Sequence, residues 1–214
     1  MDSFSSQSGQ ELSSLARTVE RMPTIDWTHE LSEQLDWHWR TFVRPHLEGL
    51  GDDEYRWEPV PGMWSIRPRG ESTAPIQAGT GAGVIEFAIP EPVPPPMTTI
   101  AWRIGHLANV FGERAANHFG AEPVTYEGTD WPLDAAGGLE LLERAYDAWL
   151  TGVRALDDEG LAAPCGPSEG PFAEYPMAAL VLHITREGLH HSAEILTLRD
   201  LYRARAGVAV GMAS

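Results

Sequence analysis

The apolar residues of this chain fall into four segments, each with the three- and four-residue spacing of an amphipathic helix. The segments cover residues 25–50, 98–120, 135–156 and 175–204. In the first segment, four residues share one face: Leu31, Leu35, His38 and Phe42. Helices with a single apolar stripe bury it against one another, so the pattern predicts an all-α protein, a four-helix bundle.

The segment between the first two helices, residues 50–96, contains too much proline and glycine to be helical. We expect a long ordered connection there, with residues 84–89 as the candidate for a short strand. Residues 1–22 are polar and rich in serine, and we expect a flexible N-terminal tail. Residues 205–214 are expected to form a second flexible tail, which leaves one domain over residues 23–204.

The charge and the cysteine content limit the partners and the compartment of the chain. Fifteen basic residues against 31 acidic ones give a formal net charge of −16, which repels nucleic acid and anionic lipid. No apolar run reaches the roughly 18–20 residues of a membrane helix. The first residues lack the features of a secretory signal, and a single cysteine allows no internal disulfide. We therefore expect a cytoplasmic protein that binds neither nucleic acid nor membranes.

The fourth helix carries polar residues in the middle of an otherwise apolar stripe. Its inward positions are, in order, Leu180, His183, Glu187, His191, Glu194, Leu198 and Leu201. Burial of such polar groups is costly unless a partner satisfies them. Glu187 and His191 are four residues apart and project from the same face of the helix. A helix with this spacing can chelate one metal ion.

A third metal ligand has to come from another helix, and His106 of the second helix is the candidate because its surroundings are apolar. Two imidazoles and one carboxylate would form a site with open positions for water or substrate. Such a site polarises bound water or binds a thiol as thiolate. In the alternative interpretation the histidines are hydrogen-bonded within the bundle, and Glu187 forms an ion pair with Arg103 or Arg186.

Two further histidines are candidates for substrate binding. His183 is eight residues from His191, a poor spacing for ligands of one ion, so we expect it to face the substrate or to support a ligand. His38 of the first helix faces the same core and is a candidate for the pocket lining, although packing in the core is the favoured alternative.

Three stretches of the sequence resemble the DinB-like superfamily of four-helix-bundle proteins, in particular its actinobacterial members. They are DWHW with GLGDDEYRWEPVPGMWSIRPR, TTIAWRIGHL with NHFG, and, as the most specific, HITREGLHHSAEILTLRDLYR. The resemblance extends over about residues 26–204. It implies an up-down-down-up bundle and, in many members, dimers. It also implies a divalent metal held by one histidine of the second helix and an HxxxH pair of the fourth.

Carried over residue by residue, the resemblance assigns the metal ligands to His106, Glu187 and His191. The chain departs from the family pattern at Glu187, because it has ExxxH where HxxxH is common, and at residues 192–194, where Ser-Ala-Glu replaces the usual Arg-Gly-Gln. A carboxylate also ligates metals, so both the presence of the metal and its identity stay open. Zinc is the first choice for this donor set, ahead of nickel, iron and manganese.

The resemblance also implies a function, because characterised relatives include bacillithiol and mycothiol S-transferases and a mycothiol-dependent maleylpyruvate isomerase. It implies a metal-dependent enzyme in which a low-molecular-weight thiol such as mycothiol attacks an electrophilic small molecule as thiolate. No residue stands out as a general base. Two alternatives stay open: a metal-dependent hydrolase that uses metal-bound water, and a non-catalytic binding or stress-related helical bundle.

Overall fold

The computed structural model describes residues 25–211, with side chains through residue 205. The predicted N-terminal tail, residues 1–22, lies outside the described residues. Helices dominate the described part, and three short strands form one sheet. The expectation of an all-α chain is therefore corrected to a mostly helical protein with a small sheet. No helix in the described part is both long enough and apolar enough to cross a membrane.

The described residues contain seven α-helices. In chain order they are α1 Trp27–His38, α2 Arg44–Leu47, α3 Asp52–Tyr55, α4 Ile100–Phe119, α5 Ala135–Arg154, α6 Asp158–Ala162 and α7 Met177–Gly211. A π-helical turn, Trp39–Val43, joins α1 to α2, and a 3-10 turn, Pro167–Phe172, precedes α7. The last helix continues to Gly211, beyond the predicted end at residue 204.

The apolar stripe of the first helical segment is shifted from the predicted one. The buried residues are Leu35, Trp39, Val43 and Leu47, whereas Phe42 is 40% exposed. Residues four apart advance by more than one turn of a 3.6-residue helix, so successive steps of four would rotate away from the core. The π-turn takes up the extra residue, because the N–H of Arg44 donates to the carbonyl of Trp39.

The connection between the first helices and α4 holds the three strands. They are β1 Ile66–Pro68, β2 Ile76–Ala78 and β3 Gly83–Phe87, antiparallel in the order β1-β3-β2. Ile85 at the centre of β3 pairs with Ile66 on one side and with Ala78 on the other. The strand predicted at 84–89 is confirmed with slightly different bounds. The two outer strands were not predicted, since three residues are too few to display an alternating pattern.

Helix α4 begins and ends close to the predicted positions. Thr99 is the N-cap, because its hydroxyl accepts a hydrogen bond from the N–H of Trp102. Gly120 ends the helix with a φ of +72°, in the left-handed region that glycine tolerates. These two ends fix the rotation and the length of α4, which carries His106 at its seventh residue.

The four long helical segments contact one another in a ring: α1 with α5, α5 with α4, α4 with α7, and α7 with α1. Aromatic side chains fill the centre. Trp39 stacks on Tyr146 at 4.4 Å between ring centroids, and the edge of Phe111 meets both rings. At the predicted end of the α7 stripe, Leu201 is exposed rather than buried.

A buried ion pair ties α7 to the segments that follow α1. The Arg199 side chain is 1% exposed and donates two hydrogen bonds to the Glu54 carboxylate of α3, at 2.8 and 3.0 Å. The same guanidinium donates to the backbone carbonyls of His46 and Glu48. Since these groups have no access to water, each depends on the other for its hydrogen bonds.

We predict that Glu54→Gln lowers the free energy of unfolding by about 3–5 kcal/mol, because it leaves the buried Arg199 guanidinium without its counter-ion. The exposed pair of Glu140 and Arg144, 2.8 Å apart on α5, supplies the control. Glu140→Gln should cost less than about 0.5 kcal/mol. Urea unfolding measures both values, and equal losses for the two variants would contradict the prediction.

Candidate metal centre

The three predicted metal ligands converge between α4 and α7. One ligand atom from each of His106, Glu187 and His191 lies within 4.8 Å of the others. Nε2 of His191 is 3.4 Å from a Glu187 oxygen, and the His106 and His191 rings meet edge to face at 4.6 Å between centroids. Two ligands of a tetrahedral zinc ion, each about 2.1 Å from the metal, are about 3.4 Å apart. The separation of His191 and Glu187 therefore matches that of two ligands of one zinc ion.

Two glycines allow the close packing around this cluster, and each adjoins a ligand position in the sequence. A Cβ on Gly188 would lie 2.8 Å from Cδ1 of Leu35 and 3.2 Å from the Phe111 ring, so a side chain here would require the end of the Leu35 side chain to move. A Cβ on Gly105 would lie 3.0 Å from Ile66 and 3.1 Å from Ile85. The sheet is thereby packed directly against α4 beside His106.

The Nδ1 atom of His191 is held by Glu194, three residues further along α7. The two atoms are 2.7 Å apart, and since a carboxylate only accepts, Nδ1 carries the proton and Nε2 keeps its lone pair. Arg103 of α4 forms an ion pair with the same carboxylate, and its Nη1 lies 3.4 Å from His191 Nδ1. A carboxylate that orients a ligating imidazole in this way is a common partner in metal sites.

The ring of His106 lies between two aromatic side chains. Trp102 stacks on it at 5.0 Å between centroids, and the Tyr126 hydroxyl is 2.6 Å from Nδ1. When Nδ1 donates to this hydroxyl oxygen, Nε2 is the free ring nitrogen. Trp102 is itself fixed, because its indole N–H donates to the Glu86 carbonyl of β3 at 2.7 Å. The sheet thus orients His106 through Trp102.

Both imidazoles are neutral at physiological pH. Burial lowers the pKa of His106 to about 3, with contributions from the positive charges around it. Burial likewise lowers the pKa of His191 to about 4, and Arg103 and His190 add to this effect while Glu187 opposes it. Burial also lowers the pKa of Arg103, to about 10, which leaves it charged at neutral pH. Metal ligation requires the neutral imidazole, so the pKa values favour it.

The donor set fits a divalent cation. With Nδ1 of His191 protonated, its Nε2 presents a lone pair to a carboxylate oxygen of Glu187 at 3.4 Å. Two facing lone pairs repel unless a proton or a cation lies between them. Because the pKa of His191 is near 4, a proton is absent there at neutral pH. A cation that binds both atoms and Nε2 of His106 satisfies all three groups.

The remaining predicted site residues lie around the cluster rather than in it. His183 is 44% exposed, and its Nδ1 is 3.8 Å from the second Glu187 oxygen. His38 is half-buried, and its Nε2 forms a hydrogen bond with the Ser192 hydroxyl at 3.1 Å, which is a packing contact between α1 and α7. Glu187 has neither of the expected arginine partners within 4.0 Å: Arg103 contacts Glu194, and Arg186 contacts His183.

Sequence reasoning missed the groups that orient the two imidazoles. Arg103 lies three residues before His106 and Glu194 three residues after His191, so helical spacing could have indicated both. Tyr126 gave no such signal, because it lies 20 residues beyond His106 in the loop that leads to α5. His190, His191 and Glu194 form a second group of potential metal ligands. It contains both His191 and Glu194, which contact each other as described above.

The fold and the cluster define a mostly helical protein with a His-Glu-His site between two of its long helices. A profile of the DinB superfamily matches residues 86–195, which make up 110 of the 214 residues and include all three clustered side chains. The chain therefore belongs to the DinB superfamily, as its sequence motifs indicated. No curated protein and no solved structure matches the chain significantly.

We predict that the metal-free protein loses stability as the pH falls from 7 to 5. In the folded state the pKa of His106 is about 3, whereas an unfolded histidine has a pKa near 6.5. The unfolded chain therefore binds more protons below pH 6.5, and His106 alone accounts for a loss of about 2 kcal/mol over this range. Urea unfolding of the wild type and His106→Asn measures the effect. Identical pH dependences in the two proteins would contradict it.

Proposed function

We propose that this protein is a metal-dependent enzyme of the thiol-transferase type, built on an up-down-down-up four-helix bundle. The observation that carries the proposal is the convergence of His106, Glu187 and His191 between two helices, with ligand atoms within 4.8 Å of one another. Membership of the DinB superfamily supports the same conclusion.

Two contacts from each pair of neighbouring helices support the proposed helix directions. If the residue numbers of both helices increase from one contact to the other, the helices are parallel; if one increases while the other decreases, they are antiparallel. The contacts are Trp39–Glu143 and Thr28–Leu156 for α1 and α5, Phe111–Tyr146 and Phe119–Trp149 for α4 and α5, Arg103–Glu194 and His106–His191 for α4 and α7, and His38–Ser192 and His46–Arg199 for α1 and α7. They favour α1 and α7 in one direction and α4 and α5 in the other.

The proposed ligands are the Nε2 atoms of His106 and His191 and a carboxylate oxygen of Glu187. A divalent cation held there, with zinc as the first choice, would lower the pKa of a thiol or water molecule that reaches it and so supply the nucleophile. The set contains two neutral imidazoles and one carboxylate, so one unit of positive charge is left to attract an anionic nucleophile.

The surrounding residues preserve this charge and orientation. Arg103 neutralises Glu194, so that the second carboxylate beside His191 adds no net negative charge to the site. Glu194 and Tyr126 hold the Nδ1 atoms of the two imidazoles and direct the other nitrogen of each towards the shared position. The residues of the chain therefore orient the metal ligands, while the nucleophile comes from a second molecule.

The proposed reaction joins a low-molecular-weight thiol, such as mycothiol, to an electrophilic small molecule. A sulfur–carbon bond forms, the bond from that carbon to its leaving group breaks, and the thiol proton departs with the leaving group. The choice of thiol comes from the resemblance to the S-transferases of the superfamily. The actinobacterial type and a dimeric state remain predictions from the same resemblance. A cytoplasmic location remains a prediction from the composition.

A hydrolase is the second candidate, because two histidines and one glutamate are also the zinc ligands of thermolysin-type hydrolases. In that case water replaces the thiol at the same site, the acyl group of an ester or amide is transferred to the water oxygen, and the alcohol or amine leaves with a proton of the water. The two candidates share every ligand in this chain and differ in the nucleophile. A non-catalytic bundle is the outcome if neither nucleophile is used.

Protein purified without chelator should contain about one divalent ion per chain by elemental mass spectrometry. Glu187→Ala and His191→Ala should each reduce this occupancy to near zero, because each removes one of three ligands. His190→Ala is the matched control: its side chain is 63% exposed and belongs only to the second group, with His191 and Glu194. Loss of metal in His190→Ala together with retention in Glu187→Ala would overturn the assignment.

The metal-loaded protein should accelerate conjugation of a thiol with 1-chloro-2,4-dinitrobenzene, and Glu187→Ala should abolish the acceleration. The assay compares several thiols, including mycothiol, with hydrolysis of 4-nitrophenyl acetate in the absence of thiol. Metal-dependent ester hydrolysis without thiol conjugation identifies the hydrolase. Absence of both activities in protein that retains its metal favours the binding module and contradicts the proposed enzyme.

A further inference from the structure

A cavity of about 620 Å³ lies beside the candidate metal centre. It is bounded by the second half of α4, the 3-10 turn before α7 and the first turns of α7. Its volume falls within the roughly 300–1,000 Å³ that is usual for small-molecule sites. The lining residues that matter here are Arg114, Phe172, Tyr175, His183 and Arg186.

Two arginines and one glutamate line the cavity, in a chain whose net charge is −16. Within the described residues, no carboxylate lies within 4.0 Å of the Arg186 guanidinium, which instead donates to Nδ1 of His183 at 2.7 Å. The buried Nε of Arg114 has no hydrogen-bond partner among the described residues. Glu169 is the one carboxylate among the lining residues, and it is held by His118 at 2.9 Å.

Arg114 has two carboxylates within 4.0 Å of its terminal nitrogens. Its terminal nitrogens are 3.3 Å from a Glu113 oxygen and 3.7 Å from a Glu169 oxygen, and the second distance is too long for a hydrogen bond. Arg186 is therefore the guanidinium at the cavity that has no carboxylate within 4.0 Å among the described residues, whereas Arg114 has Glu113 and Glu169. The positive charge of Arg186 fits an anionic group of a ligand, and guanidinium matches carboxylate geometry well.

The rim of the cavity is aromatic. Phe172 and Tyr175 meet edge to face at 5.8 Å between centroids, although they are 61% and 56% exposed. Two large rings beside the guanidinium groups offer an apolar surface to a ligand that also carries a charge.

The wall of the cavity touches the candidate metal centre through one side chain. His183 lines the cavity, and its Nδ1 lies 3.8 Å from one Glu187 oxygen, while the other Glu187 oxygen faces His191 at 3.4 Å. A molecule bound in the cavity is thus separated from the metal centre by the Glu187 carboxylate and the His183 ring.

We propose that this cavity binds small molecules that combine a carboxylate with an apolar or aromatic body, and that such acids are the substrate class of the enzyme. The carboxylate pairs with Arg186 and Arg114, and the body lies against Phe172 and Tyr175. The role of these acids as substrates rests on the function proposed above, whereas their binding depends on the cavity alone.

The test uses 4-phenylbutyrate and its uncharged analogue 4-phenylbutanamide as probes in isothermal titration calorimetry. We expect the acid to bind at least about tenfold more tightly than the amide, in protein with metal and after its removal by chelator. Arg186→Gln should remove this preference, and since Arg186 is exposed the variant should fold. Arg144→Gln, which changes an exposed arginine of α5, should bind both probes like the wild type.

The proposal is overturned if neither probe binds at 10 mM, if the amide binds as tightly as the acid, or if Arg186→Gln keeps the preference. Binding of the acid that requires metal, is lost in Glu187→Ala and survives in Arg186→Gln means that the metal holds the carboxylate. That result contradicts the proposed binding of the acid in the cavity and leaves the proposed function intact. Binding that survives metal removal and is lost in Arg186→Gln supports the cavity even if the metal centre has another role.

Discussion

The contact between α4 and α7 is the constraint on which the rest of the structure depends. Two imidazoles and a carboxylate meet there, partly shielded from water, and burial of such groups is unfavourable without partners. The imidazoles remain neutral, since burial lowers the pKa of each well below that of a free histidine. Glu194 and Tyr126 satisfy one nitrogen of each ring, and the other nitrogens remain available beside Glu187. A side chain on Gly188, next to Glu187, would crowd the Leu35 and Phe111 side chains.

The small sheet has a direct role in this arrangement. The Glu86 carbonyl in β3 accepts a hydrogen bond from Trp102, which stacks on His106, and Phe87 of the same strand packs against Tyr126 at 5.3 Å between ring centroids. The ring of His106 is therefore held from two sides by residues that the sheet positions. The long connection before α4 thus contributes to the site, and it does so through packing and one backbone carbonyl rather than through a ligand.

Local spacing explains which parts were predictable from the sequence. Glu187 and His191 are related by one helical step, and His106 stands out among apolar neighbours, so all three ligand candidates could be named. The contact of His106 with Tyr126 depends on how a loop folds back, and no local pattern encodes it. For the same reason β1 and β2 escaped prediction, since each has three residues and is defined by pairing with β3. The π-turn shifted the buried face of the first segment from Phe42 to Val43.

The resemblance implies a histidine where this chain has Glu187, and a carboxylate at this position differs from an imidazole in charge and in its number of ligand atoms. A third imidazole would leave a bound divalent cation with its full charge, whereas the carboxylate removes one unit. A carboxylate also has two oxygens, and here one faces His191 and the other lies 3.8 Å from His183 in the cavity wall. An imidazole at this position has a single free nitrogen once the other binds a metal. Glu187 therefore lies between the candidate metal centre and the arginine-lined cavity, at the position where the resemblance implies the first histidine of an HxxxH pair.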